Sequence, residues 1–266
     1  MTIFRKVVKY LALILAIFLI VAMIKLITDF SFGNNSNYNG FSNVKGAKVE
    51  KVKIELSVID LLIQEGTSFN VESTTDDLNI YQTADKVIIS EKERHFFRGK
   101  NNQKLIVTIP KNKIYKDFSV VTGAGSIQVE TLNSQNVSLV LKAGKLEVDN
   151  INVTESITVN SNTGSVKIKN GVLNNLNLKL KIGECLINSQ LNGNNEISSG
   201  IGTVSLVLPS DVKNYKFKIE KGLGSVTIND EKVKEKDFSV GKNVVELKAG
   251  IGGISIITDN SLHSNL

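Results

Sequence analysis

The stretch "TGAGSIQVE", residues 122–130, places two glycines, Gly123 and Gly125, directly before a run that alternates apolar and polar residues. Related stretches return further along the chain as "KAGKLEV", "NTGSVKI", "KIGECLI", "GIGTVSL", "GLGSVTI" and "GIGGISI". A period of two is typical of β-strands, because successive side chains point to opposite faces of the sheet. The sequence therefore predicts a series of short strands, each beginning next to a glycine.

The marked glycine recurs at intervals that are mostly 19 or 20 residues. The seven marks are Gly125, Gly144, Gly164, Gly183, Gly202, Gly224 and Gly252. Apolar residues stand two and four positions after every mark, and also five and seven positions before it, with Asn195 as the one exception. A fixed period of this length is the signature of a solenoid.

One such repeat cannot bury its inner face alone, but repeats stacked coil on coil can. Successive coils would lie about 4.8 Å apart, with like side chains forming inward ladders. Glycine suits the corner because it accepts positive φ and close backbone approach. We predict an all-β, single-stack β-solenoid of about 19–20-residue coils. The alternative is an antiparallel meander with turn glycines, although hairpin turns would not need the same template seven times.

The region before the first regular repeat carries weaker strand patterns. They predict less regular opening coils and a cap that covers the sheet edge. Pro110 and Pro209 each stand fifteen residues before a marked glycine, which indicates an internal duplication.

The N-terminal region has a different character. Residues 10–24 contain no charge, which predicts a membrane anchor over residues 10–28. Arg5, Lys6 and Lys9 would hold residues 1–9 in the cytoplasm. A cleaved signal peptide is the alternative, but no Ala-x-Ala site follows the apolar core. We expect a flexible stalk at 29–43, an extracytoplasmic body at 44–258 and a polar tail at 259–266.

The charge distribution argues against nucleic-acid binding. The chain carries a net charge of +6, but four of its 32 Lys and Arg residues precede Asp29, the first acidic residue. The remainder is nearly balanced against 26 Asp and Glu. A surface that follows phosphates would be more basic.

The residues offer little for catalysis. The two histidines, His95 and His263, do not suggest a triad or a metal site. Cys185 stands at an inward ladder position, which predicts a buried thiol, and a single cysteine excludes an internal disulfide. The outward positions after the corners are mostly Ser and Thr, with Glu147 and Lys167 expected to form a modest cross-strand charge pair. We expect no catalytic, cofactor or metal site; the outward face is a solvated surface or a flat polar platform for glycan.

One segment departs from the strand pattern, "EKERHFFRGKNNQK", residues 91–104. Arg94, Phe96, Phe97 and Arg98 combine aromatic rings with positive charge, which suits contact with a cell-wall polymer or a membrane protein. Alternatively, the phenylalanines pack over the end of the solenoid.

Several features of the sequence resemble the bacterial putative-adhesin family of unknown function. They are the anchor, the segment "IDLLIQEG", the strands "VTIP" and "LVLP" and the repeated G-x-Φ-x-Φ units. The resemblance extends over residues 44–258. It implies a non-enzymatic, membrane-anchored extracytoplasmic surface protein with an adhesin-like binding or scaffold role, in a family often linked to envelope stress. The family has no established catalytic residues. The alternatives are a carbohydrate-active enzyme on a β-helix and a purely structural spacer.

Overall fold

The computed structural model describes residues 39–40, 49–92, 103–233 and 241–258. The chain divides into two compact units, Met1–Ser36 and Asn37–Leu266. The first unit, which holds the whole anchor predicted at 10–28, lies outside the described residues, as does the tail at 259–266. In the part of the chain that is described, no helix is long and apolar enough to cross a membrane.

The described residues form β-strands joined by turns, with one short 3-10 helix at Val212–Asn214. The strands are β1 Asn39–Gly40, β2 Lys51–Leu56, β3 Asp60–Gly66, β4 Asn70–Ser73, β5 Leu78–Gln82, β6 Lys86–Glu91, β7 Lys104–Pro110, β8 Ile114–Ile168, β9 Gly171–Asn174, β10 Leu176–Asn188, β11 Gln190–Asn192, β12 Asn194–Leu208, β13 Tyr215–Leu223, β14 Val226–Ile228, β15 Glu231–Lys232, β16 Asn243–Ile251 and β17 Ile254–Thr258. The prediction of an all-β fold is confirmed.

The alternation of apolar and polar residues sets which side of each strand is buried. In β2, Val52, Ile54 and Leu56 point into the core while the charged residues between them stay partly exposed. β8 is an extended path that passes through several coils and keeps this alternation over most of its length. Each strand therefore contributes one apolar side to a common core.

Neighbouring coils pair in parallel and are offset by one repeat. Cys185 is in register with Val166 on one side and Val204 on the other, so its position between two inward valines is confirmed. Gly183 lies between Gly164 and Gly202 in the same way. This parallel stacking is that of a solenoid, and an antiparallel meander is therefore wrong for these coils.

The stacking order at the C-terminal end differs from the sequence order. β12 pairs with β16 and β17, and these in turn pair with β13 and β14. The marked glycines thus stack in the order Gly202, Gly252, Gly224, whereas consecutive stacking would place Gly224 next to Gly202. The chain leaves one coil position open after β12 and returns to fill it, which explains why the last two glycine intervals are longer than the others.

The N-terminal end shows a similar arrangement. β2 and β3 lie between β6 and β7 on one side and β8 on the other. Pro110 closes β7, and Pro209 follows β12, so each proline stands where the chain skips a coil. Antiparallel strands β4 and β5 pair with β7 and β6 at this end, which confirms the predicted cap.

The core is one continuous cluster that runs through the stack. Its largest fully buried side chains include Tyr115 and Phe118, whose rings meet edge to face at 5.5 Å, and Tyr215 and Phe217, whose ring centroids are 5.7 Å apart. Each pair follows one of the two skipped coils, which agrees with an internal duplication.

Asn195 is the buried polar residue that interrupts the apolar template. Its side-chain amide accepts a hydrogen bond from the Leu176 backbone N–H at 3.1 Å and donates to the Val244 carbonyl at 3.0 Å. It therefore links three stacked coils, and it does so where the coil of Gly252 enters the stack. The hydrogen bonds satisfy an amide that would otherwise be costly to bury.

Candidate binding surface

A group of hydroxyl side chains covers the outward face just after the glycine corner on the last three coils of the stack. In β12, Thr203 and Ser205 alternate with the inward Val204 and Leu206, and the same alternation repeats on the two following coils. We call this group the hydroxyl platform; it consists of Thr203, Ser205, Ser225, Thr227 and Ser255.

The strand register fixes the geometry of the hydroxyl platform. Ser205 is in register with Ser255, and Ser255 with Thr227, so these three side chains form a row across adjacent coils about 4.8 Å apart. Within the described part of the chain, the platform hydroxyls make no hydrogen bond. Because each hydroxyl can donate one hydrogen bond and accept two, the platform offers a regular array of open donors and acceptors.

On the coils of Gly125 and Gly144, the corresponding face is engaged in contacts within the chain. Ser126 donates from its backbone N–H at 2.7 Å and from its hydroxyl at 2.9 Å to the Asp60 carboxylate. Glu147 forms ion pairs with Lys145 at 2.5 Å and Lys169 at 2.8 Å. The pairing predicted between Glu147 and Lys167 is wrong. Lys145, two positions earlier on the same strand, and Lys169, at the diagonal position on the next coil, contact the carboxylate instead.

These contacts hold Glu147 in its ionised form. Hydrogen bonds from Lys145 and then Lys169 lower the pKa of Glu147 to about 2. Lys169 also pairs with Asp149 at 2.6 Å, and the same contacts raise the pKa of Lys169. Glu147, Asp149 and the two lysines therefore neutralise one another, whereas the hydroxyl platform on the last three coils makes no such contacts.

A depression of about 360 Å³ lies on the other side of the glycine corner, before the marked glycines. Its lining residues are Ser198, Ser199, Glu220, Gly222, Lys248, Ala249 and Gly250. Lys248 on its wall pairs with Glu196 at 3.3 Å and with Glu246 at 2.7 Å. We did not predict this depression from the sequence, although the triplets "GIG" and "GLG" indicate it, since each places a second glycine two positions before the marked glycine.

The one cysteine of the chain is not positioned for nucleophilic chemistry. Cys185 is buried, and burial raises the pKa of its thiol to about 12, so the thiol stays protonated and poorly nucleophilic. Among the described residues, no three His, Cys, Asp or Glu side chains are grouped so that they could hold a metal ion.

The contact segment predicted from the sequence is not placed by the structure. Arg94, Phe96, Phe97 and Arg98 lie outside the described residues, as do both histidines. This segment stays a prediction.

Comparison with known proteins identifies a family. Residues 49–191, just over half of the chain, match the family described as Toastrack DUF4097. This match confirms the resemblance that the sequence motifs indicated. No match was found among curated proteins.

Several solved structures are similar to the chain at low sequence identity. One is a putative cell adhesion protein from Clostridium sporogenes, with 15% identity and a TM-score of 0.37, covering 85% of this chain and 100% of that chain. Another is a putative adhesin from Bacteroides fragilis, with 12% identity and a TM-score of 0.36, covering 84% and 98%. A third is a putative adhesin from Parabacteroides merdae, with 13% identity and a TM-score of 0.29, covering 86% and 98%.

Proposed function

The chain belongs to the Toastrack DUF4097 family. We propose that it is a non-enzymatic surface module that binds a polyhydroxylated polymer of the cell envelope. The apolar segment at residues 10–28 anchors the module in the membrane, with the solenoid on the extracytoplasmic side. The link to envelope stress that the family resemblance implies stays a prediction.

The hydroxyl platform is the observation that carries this proposal. Glycans present rows of hydroxyl groups, and a flat array of protein hydroxyls can exchange hydrogen bonds with them directly or through water. Ser205, Ser255 and Thr227 stand in one row, so an extended chain lying across the coils would meet the same group at each step. Each contact is weak, and affinity would come from repetition along the polymer.

The test compares two sets of alanine substitutions in the full-length chain. Replacing Ser205, Ser255 and Thr227 together by Ala should lower retention on purified cell-wall polysaccharide by about tenfold or more, since three hydrogen bonds of about 0.5–1.5 kcal/mol each are lost. The matched control replaces Ser119, Ser138 and Thr158 by Ala, three half-buried outward hydroxyls on the strand face before the corner. Equal retention of both variants and the wild type would contradict the proposal.

The proposed location has its own test. Positive residues at the start of the chain hold that end in the cytoplasm, so the solenoid should face outward. External protease added to intact cells should then degrade the solenoid, and a cytoplasmic marker protein should stay intact. A solenoid that is protected until the cells are lysed would show that the topology is wrong.

A further inference from the structure

Four large aliphatic residues form a continuous exposed row on the last four coils of the stack. Ile182, Ile201, Ile251 and Leu223 occupy the position directly before the marked glycine, and the strand register places each next to its neighbour on the adjacent coil. Their exposed fractions are 40%, 48%, 52% and 73%. We call this row the aliphatic ridge.

The aliphatic ridge is specific to one end of the solenoid. The same position on the preceding coils holds Ala124, Ala143 and Thr163, which are small or polar. Single exposed aliphatic residues are ordinary, but four in line make one patch. The exposed fractions correspond to roughly 400 Å², in the range of about 300–600 Å² for the largest apolar patch on a typical monomer, a size that is often functional.

A shallow channel runs parallel to the ridge. Gly200, Gly250 and Gly222 each stand one residue before a ridge residue and lie over one another on three coils. Two of them line the depression of about 360 Å³ described above, and we call the channel the glycine trough. The ridge and the trough therefore share one spacing and lie side by side along the stack.

We infer that this corner is a self-association surface whose occupant is a second copy of the chain. In a two-fold dimer with its axis parallel to the stack, between ridge and trough, the ridge of each copy faces the trough of the other at the same height. Ile201, Ile251 and Leu223 then each meet a glycine backbone, whereas Ile182 faces Lys181. The opposite geometry, with antiparallel stacks, would place ridge against ridge and leave both troughs open.

The charges around the corner are compatible with the parallel arrangement. The wall of the trough carries Ser198, Lys248 and Glu220 on successive coils. In the parallel dimer this wall faces the positions just after the corner on the partner, which are Thr203, Gly253 and Ser225. On these three coils no like charges are brought opposite each other. On the coil of Ile182 the exposed Lys181 stands in place of the trough glycine, and its long side chain can turn toward solvent.

The areas also fit a pair of chains. Covering both ridges removes on the order of 800 Å², and covering the troughs and their walls adds to this, which brings the interface toward the about 1,200–2,000 Å² of specific interfaces. The row Ser205, Ser255 and Thr227 lies two residues further from the axis and stays open. Dimerisation is therefore compatible with the proposed glycan binding but independent of it.

Cysteine cross-linking in the full-length chain tests the inference, because the native thiol is buried. Ile201→Cys, Ile251→Cys and Leu223→Cys are made singly, produced in a bacterial host and oxidised on whole cells. In the parallel dimer every ridge position lies close to its own counterpart, so each variant should form a disulfide-linked homodimer. The matched controls are Val58→Cys and Ile257→Cys, exposed aliphatic positions off the ridge at 53% and 46%, which should stay monomeric.

A second variant tests whether the ridge itself drives association. Leu223→Lys in the Ile201→Cys background should reduce the cross-linked fraction at least fivefold, because a charge would enter the trough of the other copy. The inference is overturned if ridge and control positions cross-link equally, if no ridge position cross-links, or if the ridge cross-links to a different protein. Cross-linking between Ile182→Cys and Leu223→Cys chains, without self-linking of either, would establish antiparallel stacks and also overturn it. None of these outcomes depends on polysaccharide binding, so the two proposals fail separately.

Discussion

Gly183 shows why glycine recurs at the corner of every regular coil. Its φ is 142°, a conformation that other residues rarely adopt, and a Cβ at this position would collide with the carbonyl oxygen of Gly164 on the coil beneath. The same positive φ, between 135° and 150°, occurs at Gly144, Gly164, Gly202, Gly224 and Gly252. Gly125 does not share it, and a Cβ there would lie 3.2 Å from the Ile59 carbonyl oxygen, a tight contact rather than a collision.

Gly183→Ala should therefore destabilise the fold. Backbone strain and the collision with Gly164 together should lower the free energy of unfolding by about 2–4 kcal/mol. The matched control is Gly253→Ala, where the nearest atom to the new Cβ, the Ser225 carbonyl oxygen, is 3.9 Å away and φ is not positive. Urea denaturation of both variants measures the difference. Equal midpoints would show that the corner is not sterically restricted.

Two inward serines on neighbouring coils differ in how their hydroxyls are satisfied. The Ser161 hydroxyl is buried and has no hydrogen-bond partner. The Ser134 hydroxyl is also buried, but it donates to the Asn136 carbonyl at 2.8 Å and lies 3.1 Å from the Tyr115 carbonyl. Since an unpaired buried hydroxyl opposes folding, the two positions should respond in opposite ways to loss of the oxygen.

Ser161→Ala should leave stability unchanged or raise it by up to about 1 kcal/mol, whereas Ser134→Ala should lower it by about 1 kcal/mol. Thermal unfolding of the two variants, measured side by side, checks the sign of each change. A clear loss of stability in Ser161→Ala would mean that its hydroxyl has a partner in solution.

At the scale of the strands, Glu147 connects residues of two neighbouring coils through ion pairs with Lys145 and Lys169. Its pKa in the folded chain is about 2, below the ordinary value of 4.5. A carboxylate whose pKa is lowered by folding contributes stability that is fully present above the unfolded pKa. That contribution is lost as the pH falls through the folded pKa.

Glu147→Gln should consequently flatten the fall in stability between about pH 4.5 and pH 2. The expected difference at neutral pH is below about 1 kcal/mol, because the lysine partners are partly exposed and solvent screens the pairs. The control is Glu184→Gln, an exposed carboxylate without an ion pair in the described part of the chain. Unfolding curves collected across this pH range test the difference, and parallel profiles for wild type and Glu147→Gln would contradict it.

Sequence periodicity predicted the coils but not their order. The alternation of apolar and polar residues along a strand shows directly that a residue such as Val204 faces inward. The order of stacking cannot be predicted in the same way, because every coil presents nearly the same row of inward apolar residues to its neighbours. Two features of the sequence indicate the changed order: the longer last two intervals between marked glycines, and Asn195. In the structure Asn195 forms hydrogen bonds with Leu176 and Val244, where the returning coil enters the stack.

The candidate surfaces were predictable to different degrees. The hydroxyl platform follows from the alternation, since Ser205 stands between two inward residues, and the sequence predicted a polar outward face there. The aliphatic ridge was missed because the position before the marked glycine varies freely, from Ala143 to Ile182. Its residues form a surface because the register aligns the position before each marked glycine on successive coils, with Ile251 between Ile201 and Leu223.

At the scale of the whole molecule, the coils formed by the two ends of the described chain lie inside the stack. β2 and β3, near the start, are covered by β6 and β7, and β16 and β17, near the end, are covered by β13 and β14. The outermost coils are therefore connected to inner coils both before and after them in the sequence. This arrangement should make unfolding cooperative, because neither end can detach one coil at a time, as it could in a simple repeat array.

Removal of the coil formed by β16 and β17 tests this cooperativity. Truncation after Lys242 deletes β16 and β17, and with them the buried Val245, Leu247, Ile254 and Ile256. Four such side chains contribute roughly 1.5–3 kcal/mol each, which together approaches the 5–15 kcal/mol of an entire domain. β12 and β13 would also lose the strands between them. The truncated chain should fail to fold cooperatively and should be digested rapidly by protease, whereas truncation after Thr258 should leave unfolding unchanged. A chain ending at Lys242 that melts as sharply as the full-length protein, at a similar temperature, would mean that the inserted coil is dispensable.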